Sequence, residues 1–365
     1  MVRELKNEYA PDVVSPPGVT LLDTIEAIGM NQKELAARTG RTPKTINRII
    51  KGEDPITPET ALQLARVLGI PASFWNNRES AYREYLARVK EREKLRKQIE
   101  WLKDIPVSAM IKLGWIERHD DKVSQSQEVL DFFGVASPEQ WKEIWLHGST
   151  TPMVSYRKSP IFKSKPGSVA AWLRKGELEA QKIECAEHDQ SEFKNALTKI
   201  KPLTLLPPEE FQPELTKICA SCGVCVVFVE ELPGVPVSGA TYWITPNKAL
   251  LQLSYRYKSD DHLWFSFYHE AGHIILHGKR DAILETEDQN DSKEKEADRF
   301  AADMLIPPIE MRRFIRLNNL TEYAIVNFAR EIDIAPGIVV GRLQHDAILP
   351  FKTAQNKLKR KLKWN

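Results

Sequence analysis

The sequence predicts a multidomain, mainly α protein. It expects an all-α helix-turn-helix at the N-terminus, a helical middle region and a C-terminal α+β domain with a small sheet. Three observations lead there. Residues 17–69 alternate short amphipathic helices with Gly and Pro punctuation. Residues 224–254 hold three short strand-like runs. Directly after them an apolar helical segment carries His-Glu-x-x-His.

The N-terminal helices follow from their faces and caps. Val19 to Gly29 turns Leu21, Leu22, Ile25 and Ile28 to one side. Asn31 can cap Gln32 to Thr39, with Leu35 and Ala36 inward, and Gly40 suits the tight turn that follows. Thr42 caps a third helix with Pro43 at its first position; Ile46, Ile49 and Ile50 face inward. Thr57-Pro58-Glu59-Thr60 opens a fourth helix, which Gly69 ends. Gln32, Ala36, Gly40, Ile46 and Ile49 have helix-turn-helix spacing, so the outer face of the third helix should enter a major groove. Lys44 and Arg48 suit guanine edges, Asn47 adenine, and Thr45 a phosphate or methyl group. The bland alternative is a small bundle with a solvated polar face, but that face carries no acid.

Pro17-Gly18-Val19-Thr20-Leu21, Asn31 to Gly40, Lys44 to Ile50 and Ala61 to Trp75 resemble HigA-type antitoxins of the XRE class. The resemblance implies operator binding as a dimer and, in many relatives, a bound ribonuclease toxin. No motif here identifies a toxin. A helix-turn-helix that reads two half-sites leads us to expect a homodimer on double-stranded DNA.

Glu79 to Lys103 reads as a long exposed helix, with eight Lys/Arg and four Glu between Arg83 and Lys103. A solvated spacer is its default reading. In the middle region helices are expected at 107–116, 129–133, 138–145, 167–187 and 192–199, with Trp141, Trp145 and Trp172 as core anchors. The turn-rich stretch 150–166 carries Arg157, Lys158, Lys163 and Lys165 and reads as a loop. Pro202 to Pro208 suggests a domain boundary. Beyond it come a helix at 209–219 and strands at 224–229, 239–244 and 249–254, whose edge would suit peptide binding by strand addition. Cys219, Cys222 and Cys225 read as buried small residues rather than metal ligands.

Next comes the motif. On a helix, His269 and His273 lie one turn apart on one face and can share a metal ion; Glu270 is close enough to take a proton from water there. A third ligand is needed. Glu294 and Asp298, four apart on a second amphipathic helix ended by Pro307 and Pro308, supply one acid to complete the site and one to orient a ligand histidine. Glu296 points elsewhere on an ideal helix and ranks below Glu294. Arg256 and Lys258, just before the motif helix, are candidate oxyanion or substrate contacts.

His-Glu-x-Gly-His…His followed by Glu-x-Glu-Ala-Asp-x-Phe-Ala-Ala…Leu-x-Pro resembles the ImmA/IrrE metallopeptidases over roughly residues 205–345. The resemblance implies a zincin-like fold, with Zn2+ on His269, His273 and Glu294 and with Glu270 as general base. It implies helix-turn-helix repressors as substrates. His277, a further shared feature, reads as a site-wall or substrate-binding group, or as a packed histidine.

The expected organisation is therefore 15–78 for the DNA-binding domain, 79–105 for the connecting helix and 106–204 for the middle region. The peptidase domain takes 205–345, and a basic, frayed tail 346–365. The chain has 365 residues, 42% hydrophobic and 28% charged, with a net charge of +2. It reads as soluble and cytoplasmic, with no apolar signal core or membrane span. Four cysteines make no disulfide framework. The function expected is a transcription regulator with a zinc endopeptidase domain that cleaves a repressor, a toxin-antitoxin-system protein or itself. The alternative is a non-enzymatic antitoxin that binds its operator and a toxin, with the zinc domain as sensor or binding surface.

Overall fold

The computed structural model describes residues 14–147, 165–235, 238–277 and 287–364. The chain divides into two compact units, Met1–Gln98 and Ile99–Asn365.

The first unit is all helix: α1 (Pro17–Ala27), α2 (Gln32–Thr39), α3 (Pro43–Ile50), α4 (Pro58–Leu68) and α5 (Ala72–Arg96). The side chains of Asn31, Thr42 and Thr57 accept the amides of Glu34, Thr45 and Thr60, so each helix starts where its cap sits. Gly40 takes φ +66°, a left-handed turn that a Cβ would strain. Leu21, Ile25, Leu35, Ala36, Ile46, Ile49, Ala61, Leu64 and Trp75 form the core. Gly18 lets α1 cross the end of α3: a Cβ there would lie 2.2 Å from the Ile49 carbonyl oxygen. The helix expected over 79–103 starts earlier, at Ala72, and stops at Arg96. It is not wholly exposed either: Glu79 is buried, accepting the Ile56 amide at 3.0 Å and Arg83 at 2.6 Å.

The second unit opens with a 3-10 turn (Ile99–Asp104), α6 (Val107–Lys112), α7 (Lys122–Phe133) and α8 (Pro138–Trp141), which runs into a π turn at Lys142–His147. Trp101, Phe133, Trp141 and Trp145 pack edge to face in its interior. Of the turn-rich stretch 150–166, all but the last two residues lie outside the described residues. Then follow α9 (Pro166–Ala180), α10 (Gln190–Ile200) and α11 (Pro208–Ala220).

Strands β1 (Val224–Phe228), β2 (Gly239–Thr245) and β3 (Lys248–Leu253) form a sheet in the order β1-β3-β2, with β1 parallel and β2 antiparallel to β3. Side chains alternate across it. Gln252 and Tyr242 reach α9, bonding the Trp172 and Leu173 carbonyls, while Ala249, Leu251 and Leu253 join the main core on the other face. On that face lies α12 (Asp260–His277), followed by α13 (Glu287–Leu305), α14 (Pro308–Arg316), α15 (Glu322–Glu331) and α16 (Pro336–His345). Among the described residues no helix is long and apolar enough to cross a membrane.

Two expectations fail here. The Pro202–Pro208 stretch does not divide the chain but lies inside the second unit: Pro202 and Leu205 are exposed, yet Leu203 and Thr204 are buried and the Thr204 hydroxyl accepts the Ala335 amide at 3.1 Å. Nor is the basic tail frayed. Lys359 Nζ meets Asp261 at 2.6 Å and Gln344 at 2.7 Å, Leu362 is buried, and Trp364 stacks on Tyr255. Apolar Leu362 and Trp364 supply burial that outweighs the charge run around them.

Candidate metal centre and nucleic-acid interface

The metal centre is built by the crossing of α12 and α13. Gly272 permits their close approach: a Cβ there would already press Phe300 at 3.1 Å and the Ala297 backbone at 3.3 Å. The crossing brings Glu294 over the histidine face of α12. His269 Nε2 lies 3.1 Å from His273 Nε2, and the Glu294 oxygens lie 3.1 Å from the former and 3.5 Å from the latter. Among the described residues, this is the one group of three His, Cys, Asp or Glu donors within 4.8 Å of one another. The three thiols at 219, 222 and 225 are buried and form no such group.

Spacing and protonation both fit zinc. Ligands at about 2.0–2.1 Å in a tetrahedron stand roughly 3.3–3.4 Å apart, close to the separations seen. Asp298 Oδ1 lies 2.9 Å from His269 Nδ1, so that nitrogen carries the proton and Nε2 keeps its lone pair. His277 Nε2 meets Glu296 at 3.3 Å, and its Nδ1 meets His273 Nδ1 at 3.0 Å. A neutral His277 that donates to Glu296 must accept from His273, which leaves His273 Nε2 as a lone pair too. Two lone pairs and a carboxylate then converge on one point, an arrangement that calls for a cation. Without a metal, the same acids stabilise a proton on His269 in the place that an incoming cation would take. Burial would lower the His269 pKa, yet its bonds to Asp298 and Glu294 and the nearby Glu270 push it up to about 10. Burial would raise Glu294, but the two imidazoles hold it well below the usual carboxylate range.

Glu270 is nearly buried at 9% exposure. Its carboxyl lies against β2: a Cβ on Gly239 would come 2.7 Å from Glu270 Cγ and Oε1. The Thr241 hydroxyl donates to the Glu270 carbonyl at 3.4 Å. Sequence reasoning missed Gly239 and underrated Glu296; neither has a spacing that ties it to the motif, since each contact depends on how separate elements cross. Arg256 and Lys258 do not join the site. They precede α12, whose first residue is about 14 Å of helix from His269, and Arg256 lies over the Tyr257 ring.

On the helix-turn-helix, Lys44 is exposed, and Thr45 bonds the capping Thr42. Asn47 Nδ2 lies 3.5 Å from Gln32 Oε1, adding a residue at the start of α2 that the sequence reading had used only for spacing. Arg48 is half-exposed but not idle: it meets Asp54 at 2.8 Å and Glu53 at 3.6 Å. The acid-free face seen in the sequence of α3 is thus bordered by acids just beyond its end.

Two family profiles match the chain: helix-turn-helix over residues 24–75, and IrrE N-terminal-like domain, an M78 peptidase family, over residues 223–343. The chain belongs to the XRE-type helix-turn-helix proteins and carries an IrrE-like domain in its C-terminal part. Over 77 residues it is 31% identical to virulence-associated protein I of Dichelobacter nodosus, covering 21% of this chain and 69% of that one. Over 66 residues it is 27% identical to the uncharacterized HTH-type transcriptional regulator YddM of Escherichia coli, covering 18% of this chain and 70% of that one. The structure of an addiction module antidote protein of a HigA family from Coxiella burnetii matches at 29% identity with a TM-score of 0.22, covering 23% of this chain and 92% of that one.

Proposed function

We propose that this protein is a DNA-binding transcription regulator whose second unit is a zinc-dependent endopeptidase. The observation that carries the reading is the convergence of the His269 and His273 Nε2 atoms and the Glu294 carboxylate, with Glu270 beside them. His269, His273 and Glu294 hold the metal. Bound there, zinc supplies Lewis-acid chemistry, acidifying water and polarising a peptide carbonyl. Asp298 and the His277–Glu296 pair keep the Nδ1 protons in place, so that both Nε2 atoms face the metal. Glu270 takes a proton from the attacking water and passes it to the leaving amine. The packing of its carboxyl against Gly239 fixes its position.

The substrate proposed is a repressor or a protein of a toxin-antitoxin system, reached through the DNA that the first unit binds as a homodimer. Lys44, Thr45, Asn47 and Arg48 form the proposed reading face. Cleavage within this chain at 202–208 is disfavoured, because buried Leu203 and Thr204 and the bonds from Arg360 to the Leu205 and Leu206 carbonyls tie that segment down. The test is Glu270→Gln in full-length protein. Loss of substrate cleavage with zinc content and operator binding retained supports the reading. A variant that regulates and cleaves as wild type would instead favour an antitoxin that acts by binding alone.

A further inference from the structure

The four cysteines of the chain are free thiols, and Cys185 is the one that is not fully buried. The metal centre uses none of them. Two of them stand together. Val224 and Val226 join the main core, so the residue between them points to the opposite face of the sheet, toward α9. There Cys225 Sγ lies 3.8 Å from the carbonyl of Ala180, the last residue of α9. The chain then runs past the start of β1. Lys248 Nζ, on β3, donates to the Ala180 and Ile183 carbonyls at 2.9 and 2.7 Å, and the Ala186 amide donates to the Ala220 carbonyl at 3.0 Å. These bonds fasten the segment on both sides of Cys185 and hold its thiol within hydrogen-bond reach of Cys225. Cys219 and Cys222 belong to the core side instead, and Cys222 Sγ is turned to the Ile218 carbonyl at 3.6 Å.

The surroundings give the two thiols different roles. Lys248 already occupies the Ala180 carbonyl, so the Cys225 proton is available to the Cys185 sulfur. That bond and the Lys248 ammonium hold the Cys185 thiol below its ordinary range, against partial burial. Cys225 is pushed up in return, by the same bond and by burial. A thiolate is the nucleophile toward peroxides, and a neighbouring thiol resolves the product. Cys185 is half-buried between exposed Glu184 and Ala186, so a small oxidant reaches it.

We propose that Cys185 and Cys225 are a reversible dithiol site that takes hydrogen peroxide as oxidant and closes a disulfide between the α9–α10 connection and β1. The Cys185 thiolate attacks one peroxide oxygen; the O–O bond breaks, hydroxide leaves and the sulfur becomes a sulfenic acid. The Cys225 sulfur then attacks the Cys185 sulfur, the S–O bond breaks, and the Cys225 proton leaves with the hydroxyl as water. The pair loses two electrons, and the peroxide ends as water and hydroxide. A thiol reductant reverses the step by exchange. The exposed residues flanking Cys185 give the segment the freedom to bring the two sulfurs to bonding distance. The site does not depend on the metal centre, so it stands or falls separately from the peptidase reading.

The experiment treats full-length protein with about ten equivalents of hydrogen peroxide, blocks free thiols with iodoacetamide under denaturing conditions, and maps tryptic peptides without reduction. The result expected is peptide 183–194 linked to peptide 218–248, with fragment ions that put the bond on Cys225, and its loss on adding dithiothreitol. Glu294→Ala should give the same linked pair. Cys225→Ser should leave Cys185 as a sulfenic acid that dimedone labels, and Cys185→Ser should take up no label; circular dichroism checks that both variants fold. Full alkylation of all four cysteines in treated wild type, or a bond from Cys185 to Cys219 or Cys222, overturns the proposal without recourse to a variant. So does a bond through Cys185 between two copies of the chain, or dimedone labelling that persists in Cys185→Ser.

Discussion

Removing the groups behind the histidines should weaken zinc binding in a graded way. Asp298 Oδ1 stands 2.9 Å from His269 Nδ1, and His277 Nδ1 stands 3.0 Å from His273 Nδ1. Loss of such a partner costs about 10–100-fold in metal affinity, or about 1.4–2.7 kcal/mol. Exposure decides the order. The Asp298 side chain is 53% exposed, so in Asp298→Ala water can take its place, and we expect a loss near tenfold. The His277 side chain is only 10% exposed, so His277→Ala leaves His273 facing a poorly hydrated gap, and the loss should approach a hundredfold. Competition with a chromophoric chelator at pH 7 measures both. Arg299→Ala, on the same helix, is the control and should match wild type. If both variants bind zinc within twofold of wild type, the proton arrangement argued for the centre is wrong.

Gly239→Ala should retain zinc while reducing cleavage by about a hundredfold, because the new Cβ forces Glu270 to move by roughly 1 Å; parallel metal and turnover assays decide it, and unimpaired turnover refutes it. Burial raises the Asp260 pKa to about 6. The native state then binds the proton more tightly than the unfolded chain, so this group's contribution to stability falls as pH rises from about 4 to 6, by up to about 3 kcal/mol. Urea titrations of wild type and Asp260→Asn should show the variant gaining on wild type across that window; a constant gap contradicts it. Gly18→Ala should destabilise the first unit by about 1–3 kcal/mol, through overlap with the Ile49 carbonyl, and an unchanged melting midpoint would contradict that packing. Lys44→Ala should weaken operator binding and reduce the salt slope by about one, while Asp54→Ala frees Arg48 and should strengthen binding; fluorescence titrations at several salt concentrations test both.

Local signals made much of the fold legible. Asn31, Thr42 and Thr57 mark helix starts by cap chemistry, and Gly40 marks an end by its positive φ; these act over a few residues and can be read in one dimension. The three strand runs and the two long helices of the metal centre were equally visible, and the i,i+4 spacing of His269 and His273 survives in the structure because a helix fixes it. What stayed hidden depends on crossings. Glu296 meets His277 because α12 and α13 approach at Gly272, and Gly239 meets Glu270 because β2 lies along α12. The tail misled because its lysines dominate composition, while Leu362, Trp364 and the Lys359–Asp261 pair decide its packing. Pro202 to Pro208 misled for a related reason: Pro suits the 3-10 turn and the first turn of α11 inside a packed unit as well as it suits a linker.

The His269–His273–Glu294 centre is decided by the metal content of full-length protein purified without added zinc, for wild type, Glu294→Ala and Glu296→Ala. About one zinc per chain is expected in wild type, almost none in Glu294→Ala, and a retained but more weakly held ion in Glu296→Ala. Wild type that takes up no zinc even on reconstitution, or Glu294→Ala that keeps it, would contradict the His269–His273–Glu294 centre.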